Sequence, residues 1–354
     1  MKHNILKKIT ALTLVGCLTI TSFTYNANAK KVDFSLSPGK IIPQNEIKYK
    51  KPSPVKSLNK PTKVKVYRST EAAKVEFQKV EGADYYKIYR KTGKGKYFYL
   101  GRVNESDFYA STYFNHVRQF VDIRYKSSKK KSSSFYKKKA YKYNLNYKYK
   151  VIAVNRSVKS KGTVVSSKKW KKKKNELSYY TLYLANKQRK KLKRDYYTWG
   201  HHFEKGSLIR AKEMVTQSKK PGNKWHCRPN GMNWANAYTY MRKYTAVDPE
   251  TLAEGDPGIF AENVGVSYSG CTKNVIRSYL KSPGHSALFT LKDEDEAGDK
   301  DILLWWNGFN VTVPANSVIR TYSGLTAATY CKDLTKSNNV YHQMIINDEP
   351  YIVD

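Results

Sequence analysis

Acidic residues are scarce in this sequence. Only 28 Asp and Glu stand against 66 Lys and Arg in 354 residues, which gives a formal net charge of +38. Cysteine is rarer still, with four residues, and this excludes a small fold built on disulfides. A Gly-x-Ser-x-Gly nucleophile motif is missing, so a serine hydrolase of the common kind is not indicated.

Long apolar runs are also lacking beyond the N-terminal stretch. We therefore expect no transmembrane segment once that stretch is removed. Apolar residues still make up 40% of the chain and aromatic residues 14%, which is enough for packed cores. The length fits two domains with connecting segments.

Residues 1–29 have the pattern of a secretory signal peptide. Lys2, Lys7 and Lys8 precede an apolar run, Ile9–Tyr25, and Ala27-Asn28-Ala29 offers a small-residue cleavage site. This pattern predicts export, with the mature protein secreted or associated with the cell surface. Leu14 to Cys17 also resembles a lipoprotein cleavage box, so lipidation at Cys17 stays open.

Three cysteines remain after export, and they permit one disulfide and one spare thiol: Cys227, Cys271 and Cys331. The sequence alone does not choose the pair, and three reduced thiols are equally compatible with it.

The positive charge is concentrated in the first half. Residues 1–174 hold 43 basic and 9 acidic residues, whereas residues 175–354 hold 23 and 19. A field of this kind attracts polyanions. For an exported protein, we expect anionic cell-wall polymers or lipid headgroups as partners, and no nucleic acid, because no nucleic-acid-binding motif is present.

The first domain is predicted to consist of strands. Residues 30–60 are rich in Pro and Lys and are interpreted as a linker. Short runs with alternating apolar residues then recur between Gly, Asn and Ser: Lys63–Tyr67, Lys74–Phe77, Tyr85–Arg90, Tyr97–Val103, Phe120–Tyr125, Tyr147–Val154 and Thr163–Ser166. This spacing predicts an antiparallel β-sandwich over residues 61–168.

The run Val80–Arg90, followed by Tyr147-x-Tyr149-x-Val151, resembles a fibronectin type III module of bacterial surface proteins. The resemblance implies a domain that spaces or binds and seldom catalyses. A basic linker, residues 169–174, separates it from the second half.

Residues 175–354 show helical spacing and later β-rich runs. Apolar stripes predict helices near Leu177–Ala185, over Leu208–Gln217 with Leu208, Ala211 and Val215 inward, and over Thr272–Lys281. Three runs rich in β-branched and aromatic residues are predicted to be strands: Ile302–Trp306, Phe309–Val313 and Val340–Ile346. We predict an α/β sandwich of the α-β-α type with a small, mainly antiparallel sheet.

Six ordered blocks in this half resemble the CAP superfamily, the fold of cysteine-rich secretory, antigen 5 and pathogenesis-related 1 proteins, whose bacterial form is the SCP-like extracellular domain. The blocks are Asn186-x-x-Arg189, Ile209–Glu213, His226–Gly231, Ala261–Gly265, Ser282–His285 and Tyr341-x-Gln343. The resemblance covers residues 175–354. It implies a surface cleft lined by His226, Glu262 and His285, and a family in which some members bind sterols or other lipids.

Two imidazoles and a carboxylate are also a ligand set for a divalent metal, with zinc the first candidate. The same trio has the residue types of a base with an orienting acid. The leading hypothesis is binding of an unknown small extracellular ligand at His226, Glu262 and His285, and no residue is assigned a catalytic role. The alternatives are metal-assisted hydrolysis at the same cleft, and a structural protein that docks on wall polymers through its basic half.

Overall fold

The computed structural model describes residues 49–108, 117–124, 140–193, 196–222, 224–243, 259–268, 272–290, 318–335 and 339–353. The predicted signal peptide, Cys17, Cys271 and the predicted strands at 302–306 and 309–313 lie outside these ranges.

The first unit is a sandwich of two antiparallel sheets. One sheet has the strand order β1-β2-β5, and the other has the order β4-β3-β6-β7, with β8 also paired to β6. The strands are β1 (Lys65–Arg68), β2 (Ala72–Gln78), β3 (Tyr85–Lys91), β4 (Phe98–Asn104), β5 (Val117–Ile123), β6 (Tyr147–Asn155), β7 (Val158–Lys159) and β8 (Thr163–Ser167). The predicted β-sandwich is therefore present.

Alternation along the strands builds the core between these sheets. In β3, Tyr86, Ile88 and Arg90 are buried, while the residues between them are half-exposed. Phe77 and Tyr86 meet edge to face at 4.7 Å between ring centroids.

The described part of the predicted linker lies against this sandwich. Asn155 Nδ2 donates to the carbonyl of Ser53 at 2.8 Å, and Val55 and Leu58 lie over Gly82. Residues 49–60 are thus packed on the domain instead of extending free of it.

The second unit is built around a five-stranded sheet of order β10-β12-β13-β11, with β9 also paired to β12. Only β10 and β12 are parallel among the described pairings. The strands are β9 (Asn175–Leu177), β10 (Thr198–Trp199), β11 (Ile259–Ser267), β12 (Val318–Cys331) and β13 (Val340–Val353); the helices are α1 (Tyr179–Lys191), α2 (Glu204–Gln217), α3 (Thr272–Lys281) and α4 (Pro283–Thr290).

Helices cover both faces of this sheet. On one face, Met344 and Ile346 of β13 belong to a buried cluster with α1, α3 and α4. On the other face, Tyr341 and Ile345, at the alternate positions of β13, pack with Met214 of α2 and with Tyr238. Tyr238 lies in a 3-10 helix, Trp234–Lys243.

Two predicted helices have other bounds in the structure: the helix expected near Leu177–Ala185 is α1 (Tyr179–Lys191), and the helix expected over Leu208–Gln217 is α2. α2 begins at Glu204, and its most buried side chains include Arg210, Met214 and Gln217, whereas Leu208 and Val215 are only half-buried. α3 has the predicted bounds, and Pro283 follows it after a single residue. It opens α4, because a proline at the first helical position needs no N–H partner.

The two units share one apolar cluster. Ala72 and Ile123 of the first sandwich are buried together with Tyr179, Trp199 and other residues of the second unit. The outer face of the β1-β2-β5 sheet is therefore covered.

A charged cluster lies in the same junction. Lys74, whose side chain is fully buried, contacts both Glu76 and His201 Nε2, and His201 Nδ1 is 2.8 Å from Glu204 Oε1. No helix within the described ranges combines the length and the apolar character needed to cross a bilayer.

Candidate ligand-binding site

The three predicted site residues lie on three different elements. His226 closes a 3-10 turn (Lys224–His226), Glu262 lies in β11, and His285 lies in the first turn of α4. Among the described strands, β11 lies at one end of the sheet and pairs with β13.

The carboxylate of Glu262 is completely buried and accepts from four donors. Oε1 accepts from Arg210 Nε at 2.9 Å and from Gln343 Nε2 at 3.3 Å. Oε2 accepts from Arg210 Nη2 at 3.2 Å and lies 3.0 Å from His226 Nδ1. Its hydrogen-bonding capacity is therefore filled from within the protein.

Arg210 connects this carboxylate with the turn that carries His226. Its Nη2 donates to the carbonyl of Trp225 at 2.9 Å, and its Nη1 donates to the carbonyl of Cys227 at 3.2 Å. Gln217 Nε2 also donates to the carbonyl of Cys227, at 2.7 Å. Two side chains of α2 thus hold the backbone on both sides of His226.

Tyr238 completes the buried polar group. Its hydroxyl accepts from Gln343 Nε2 at 2.8 Å and is 3.1 Å from Ser207 Oγ. The ring lies so close to α2 that a Cβ added to Gly206 would fall 2.2 Å from it, so only glycine permits this approach.

The protonation state of Glu262 follows from its neighbours. Burial alone would raise the pKa of the carboxyl, but the positive charge of Arg210 and the hydrogen bond from His226 lower that pKa below its ordinary value. Glu262 is consequently an anion that fixes the orientation of the His226 ring.

His226 is the accessible member of this pair, with 26% of its side chain exposed. Because Nδ1 faces the carboxylate, that nitrogen carries a proton, and Nε2 is the free position of the ring. Among the described residues, Nε2 has no hydrogen-bond partner. The arrangement is an oriented imidazole with one nitrogen turned toward solvent.

His285 approaches from the other side of β11. Its Nδ1 is 2.8 Å from Ser282 Oγ, its ring stacks on Tyr279 at 5.3 Å between centroids, and its carbonyl accepts from Asn263 Nδ2 at 2.9 Å. Glu262 and Asn263 are consecutive in a strand, so their side chains point to opposite faces. The structure therefore pairs His226 directly with Glu262 and places His285 on the other side of β11, with no hydrogen bond to either among the described contacts.

The two histidines are nevertheless close enough to interact electrostatically. Burial and, second, the positive charge of His226 lower the pKa of His285 below its ordinary value. Behind it, Tyr279 contacts His342 Nδ1 at 3.1 Å, and His342 Nε2 is 2.8 Å from Thr181 Oγ1. Burial lowers the pKa of His342 to about 3, so this inner histidine is neutral.

The trio fits a metal ion poorly. Glu262 would have to give up Arg210 or His226 to ligate a cation, and a buried guanidinium directly beside the metal would repel it. Among the described residues, no group of three or more His, Cys, Asp or Glu side chains is arranged to hold a metal. Cys227 and Cys331 are free thiols and do not pair with each other.

The sequence predicted His226 and Glu262 as site residues, but it did not indicate the buried residues that bind Glu262. Arg210, Gln343 and Tyr238 received no role, although Arg210 and Gln343 stand in two of the six ordered blocks. The helical pattern gave no signal for Arg210, because it lies away from the stripe of Leu208, Ala211 and Val215 that was predicted to face inward.

The solved structures that are similar to part of this chain include fibronectin type III domains. No protein-family model matches the chain, and no curated protein matches it. Solved structures that are similar include the FN3tt domain (16% identity, 32% of this chain, 96% of that chain, TM-score 0.21) and a two-domain fibronectin type III segment from chicken tenascin (13%, 32%, 50%, 0.22). The chicken CNTN1 FN1–FN3 domains are similar as well (15%, 32%, 31%, 0.22). These likenesses cover a third of the chain, and the description of the sandwich rests on its strand pairing.

Proposed function

We propose that this protein is exported and that its second unit, a CAP-like domain beside a fibronectin type III-like module, binds a small extracellular ligand at the exposed edges of His226 and His285. One observation carries the proposal. His226 is oriented by a buried carboxylate while 26% of its side chain stays exposed. A purely structural histidine has no need of such an arrangement.

The charge state of the site indicates the chemistry of the ligand. The lowered pKa of His285 favours its neutral form, and a neutral imidazole with a protonated Nδ1 accepts a hydrogen bond at Nε2. An acceptor nitrogen on His285 suits a ligand that presents hydroxyl or amide donors. A neutral sugar and a sterol hydroxyl share this chemistry.

The test uses the mature protein labelled with ¹⁵N in its histidine rings. Two probes distinguish the sources of the hydroxyl: chitotetraose, and cholesterol carried by cyclodextrin. We expect one probe to shift the Nε2 resonances of His226 and His285, and His226→Gln or His285→Gln to weaken binding at least about tenfold, equal to ~1.4 kcal/mol.

Lys224→Gln is the matched control, since Lys224 is exposed in the same turn as His226. It should bind like the wild type. If neither probe moves the histidine resonances, or if both glutamine variants bind as the wild type does, the proposal is wrong.

A second candidate, hydrolysis, is favoured by the same His226–Glu262 contact. A histidine held by a carboxylate is the orientation used by a general base, and here it would activate water without a metal. Cleavage of chitotetraose that persists in EDTA and disappears in His226→Gln would establish this activity. If chitotetraose stays intact after long incubation with the protein, the hydrolysis candidate is wrong and the binding proposal stands alone.

A further inference from the structure

The outer face of the β4-β3-β6-β8 sheet carries a set of side chains that the candidate site does not use. Residues of β3 alternate between core and surface, so Lys87, Tyr89 and Lys91 point away from the core on the side opposite to Ile88. Register places Arg102 of β4 beside Lys87, and Lys150 of β6 beside Tyr89. We call this surface the Tyr–Lys face.

Cations and aromatic rings are interleaved on the Tyr–Lys face. Lys150 Nζ lies 4.5 Å from the ring centroid of Tyr97 and 5.2 Å from that of Tyr89. Lys91 Nζ also contacts Tyr97, at 4.9 Å from its ring centroid. Because these contacts order long side chains before a partner arrives, less rotamer entropy is lost on binding.

The positive charge of this face is not compensated locally. Five cations point outward from three strands: Lys87, Lys91, Arg102, Lys148 and Lys150. Within β3, β4, β6 and β8 there is no acidic residue at all. Two acidic side chains in the interior of the sandwich form ion pairs with other residues: Asp122 pairs with Arg90, and Glu105 pairs with Arg118.

Within the described ranges, the Tyr–Lys face is the outer face of the sandwich that the second unit does not cover. The opposite outer face, formed by β1, β2 and β5, is covered by the second unit. On the Tyr–Lys sheet, Tyr99 is 42% exposed and Val164 is 49% exposed.

We infer that the Tyr–Lys face is a docking surface for an extended anionic polymer with phosphodiester groups. Outward residues repeat every ~7 Å along a strand, which spreads the cations over a flat area instead of focusing them at one point. A chain of repeated phosphates matches such a row, whereas a single small anion does not. The predicted export makes wall polymers the accessible source of such a chain.

The experiment uses the mature protein and poly(glycerol phosphate) as the immobilised probe. The triple substitution Lys87→Gln, Lys91→Gln and Lys150→Gln should lower affinity at least about tenfold and flatten the slope of log K against log salt by about 2 to 3. The matched control changes three exposed lysines of the second unit, Lys187→Gln, Lys191→Gln and Lys212→Gln, for the same loss of net charge. It should change affinity less than about threefold.

A single variant tests the contribution of the rings. Tyr97→Ser keeps the net charge but removes the aromatic ring that Lys91 and Lys150 contact. We expect a measurable loss of affinity for poly(glycerol phosphate). Thermal midpoints close to the wild type's confirm that each variant is folded. The binding of His226→Gln should be unchanged, which separates this surface from the ligand-binding site.

Three results would overturn the inference. The first is equal weakening by both triple variants, which means that net charge alone attracts the polymer. The second is unchanged affinity in Tyr97→Ser. The third is tighter binding of single-stranded oligothymidylate than of poly(glycerol phosphate) at the same phosphate concentration, which would assign the face to nucleic acid.

Discussion

Arg210 is the residue on which the geometry of the site depends most directly. It is fully buried, and it joins Glu262 to the backbone around His226. Glu213 shares the guanidinium, with 3.0 Å between Arg210 Nη1 and Glu213 Oε2, and Glu213 also binds Arg228. The imidazole is thus positioned by a buried ionic network.

This network predicts a coupled effect of substitution. Arg210→Met leaves the carboxylate of Glu262 buried without its main counter-charge, so we expect a loss of about 3–5 kcal/mol in the free energy of unfolding. Combining it with Glu262→Gln should cost at least ~1 kcal/mol less than the sum of the two single variants. Urea unfolding of the four proteins measures the cycle.

Lys212→Gln serves as the control, because Lys212 is exposed on the same helix. It should change the free energy of unfolding by less than ~0.5 kcal/mol. Strict additivity of Arg210→Met and Glu262→Gln would show that the two groups do not depend on each other.

At the scale of elements, the contact between β2 and the residues before α2 is the most charged part of the unit junction. His201 is held between Glu204 and Glu76 and lies on the ring of Tyr67 at 4.9 Å between centroids. Burial alone would lower the pKa of His201, but hydrogen bonds with the two carboxylates raise it above its ordinary value. Burial lowers the pKa of Lys74 to about 8.

These shifts predict a pH-dependent contribution to stability. A histidine whose folded pKa is raised stabilises the protein fully below its unfolded pKa of about 6.5, and this contribution is lost as the pH rises through the folded pKa. His201→Gln should therefore destabilise the protein more at pH 5.5 than at pH 7.5. Urea midpoints at the two pH values provide the measurement.

Between pH 5.5 and pH 7.5, the protonation states of the neighbouring groups change little. Glu76, whose pKa is lowered to about 2, stays ionised, and Lys74 stays mostly protonated below its pKa of about 8. An equal destabilisation by His201→Gln at both pH values would contradict the assignment.

The elements also show which features the sequence could and could not predict. Alternation predicted β3 and β6 nearly to the residue, because each buries one face against a partner sheet. β11 was not predicted, since Glu262 and Asn263 interrupt its apolar pattern and are buried through hydrogen bonds instead. No sequence pattern marked Lys74 as buried, because its burial depends on contacts with residues more than a hundred positions away along the chain.

For the whole molecule, the shared apolar cluster means that the two units are packed against each other and are not independent domains joined by a free linker. Tyr179 of α1 lies in this cluster with Ala72 of β2, and its ring is 4.6 Å from that of Trp199. The basic segment 169–174 is held as well, since Lys172 Nζ donates to the carbonyl of Leu334 at 2.5 Å.

We therefore expect one cooperative unfolding transition. Tyr179→Ala should cost about 3 kcal/mol and lower hydrogen-exchange protection in both β3 and β13, although β3 does not contact Tyr179. Tyr183→Ala, at a half-buried position of the same helix, is the milder comparison. Loss of protection confined to the second unit would show that the units unfold separately.

The position of β13 has a consequence for the order of folding. This late segment of the chain lies between β12 and β11 and supplies Gln343 to the carboxylate that holds His226. During synthesis, the residues of the site that emerge first must wait for it. A chain stalled before residue 340 would carry the β-sandwich and both histidines, but β11 would lack the one partner strand described for it, and Glu262 would lack the amide of Gln343.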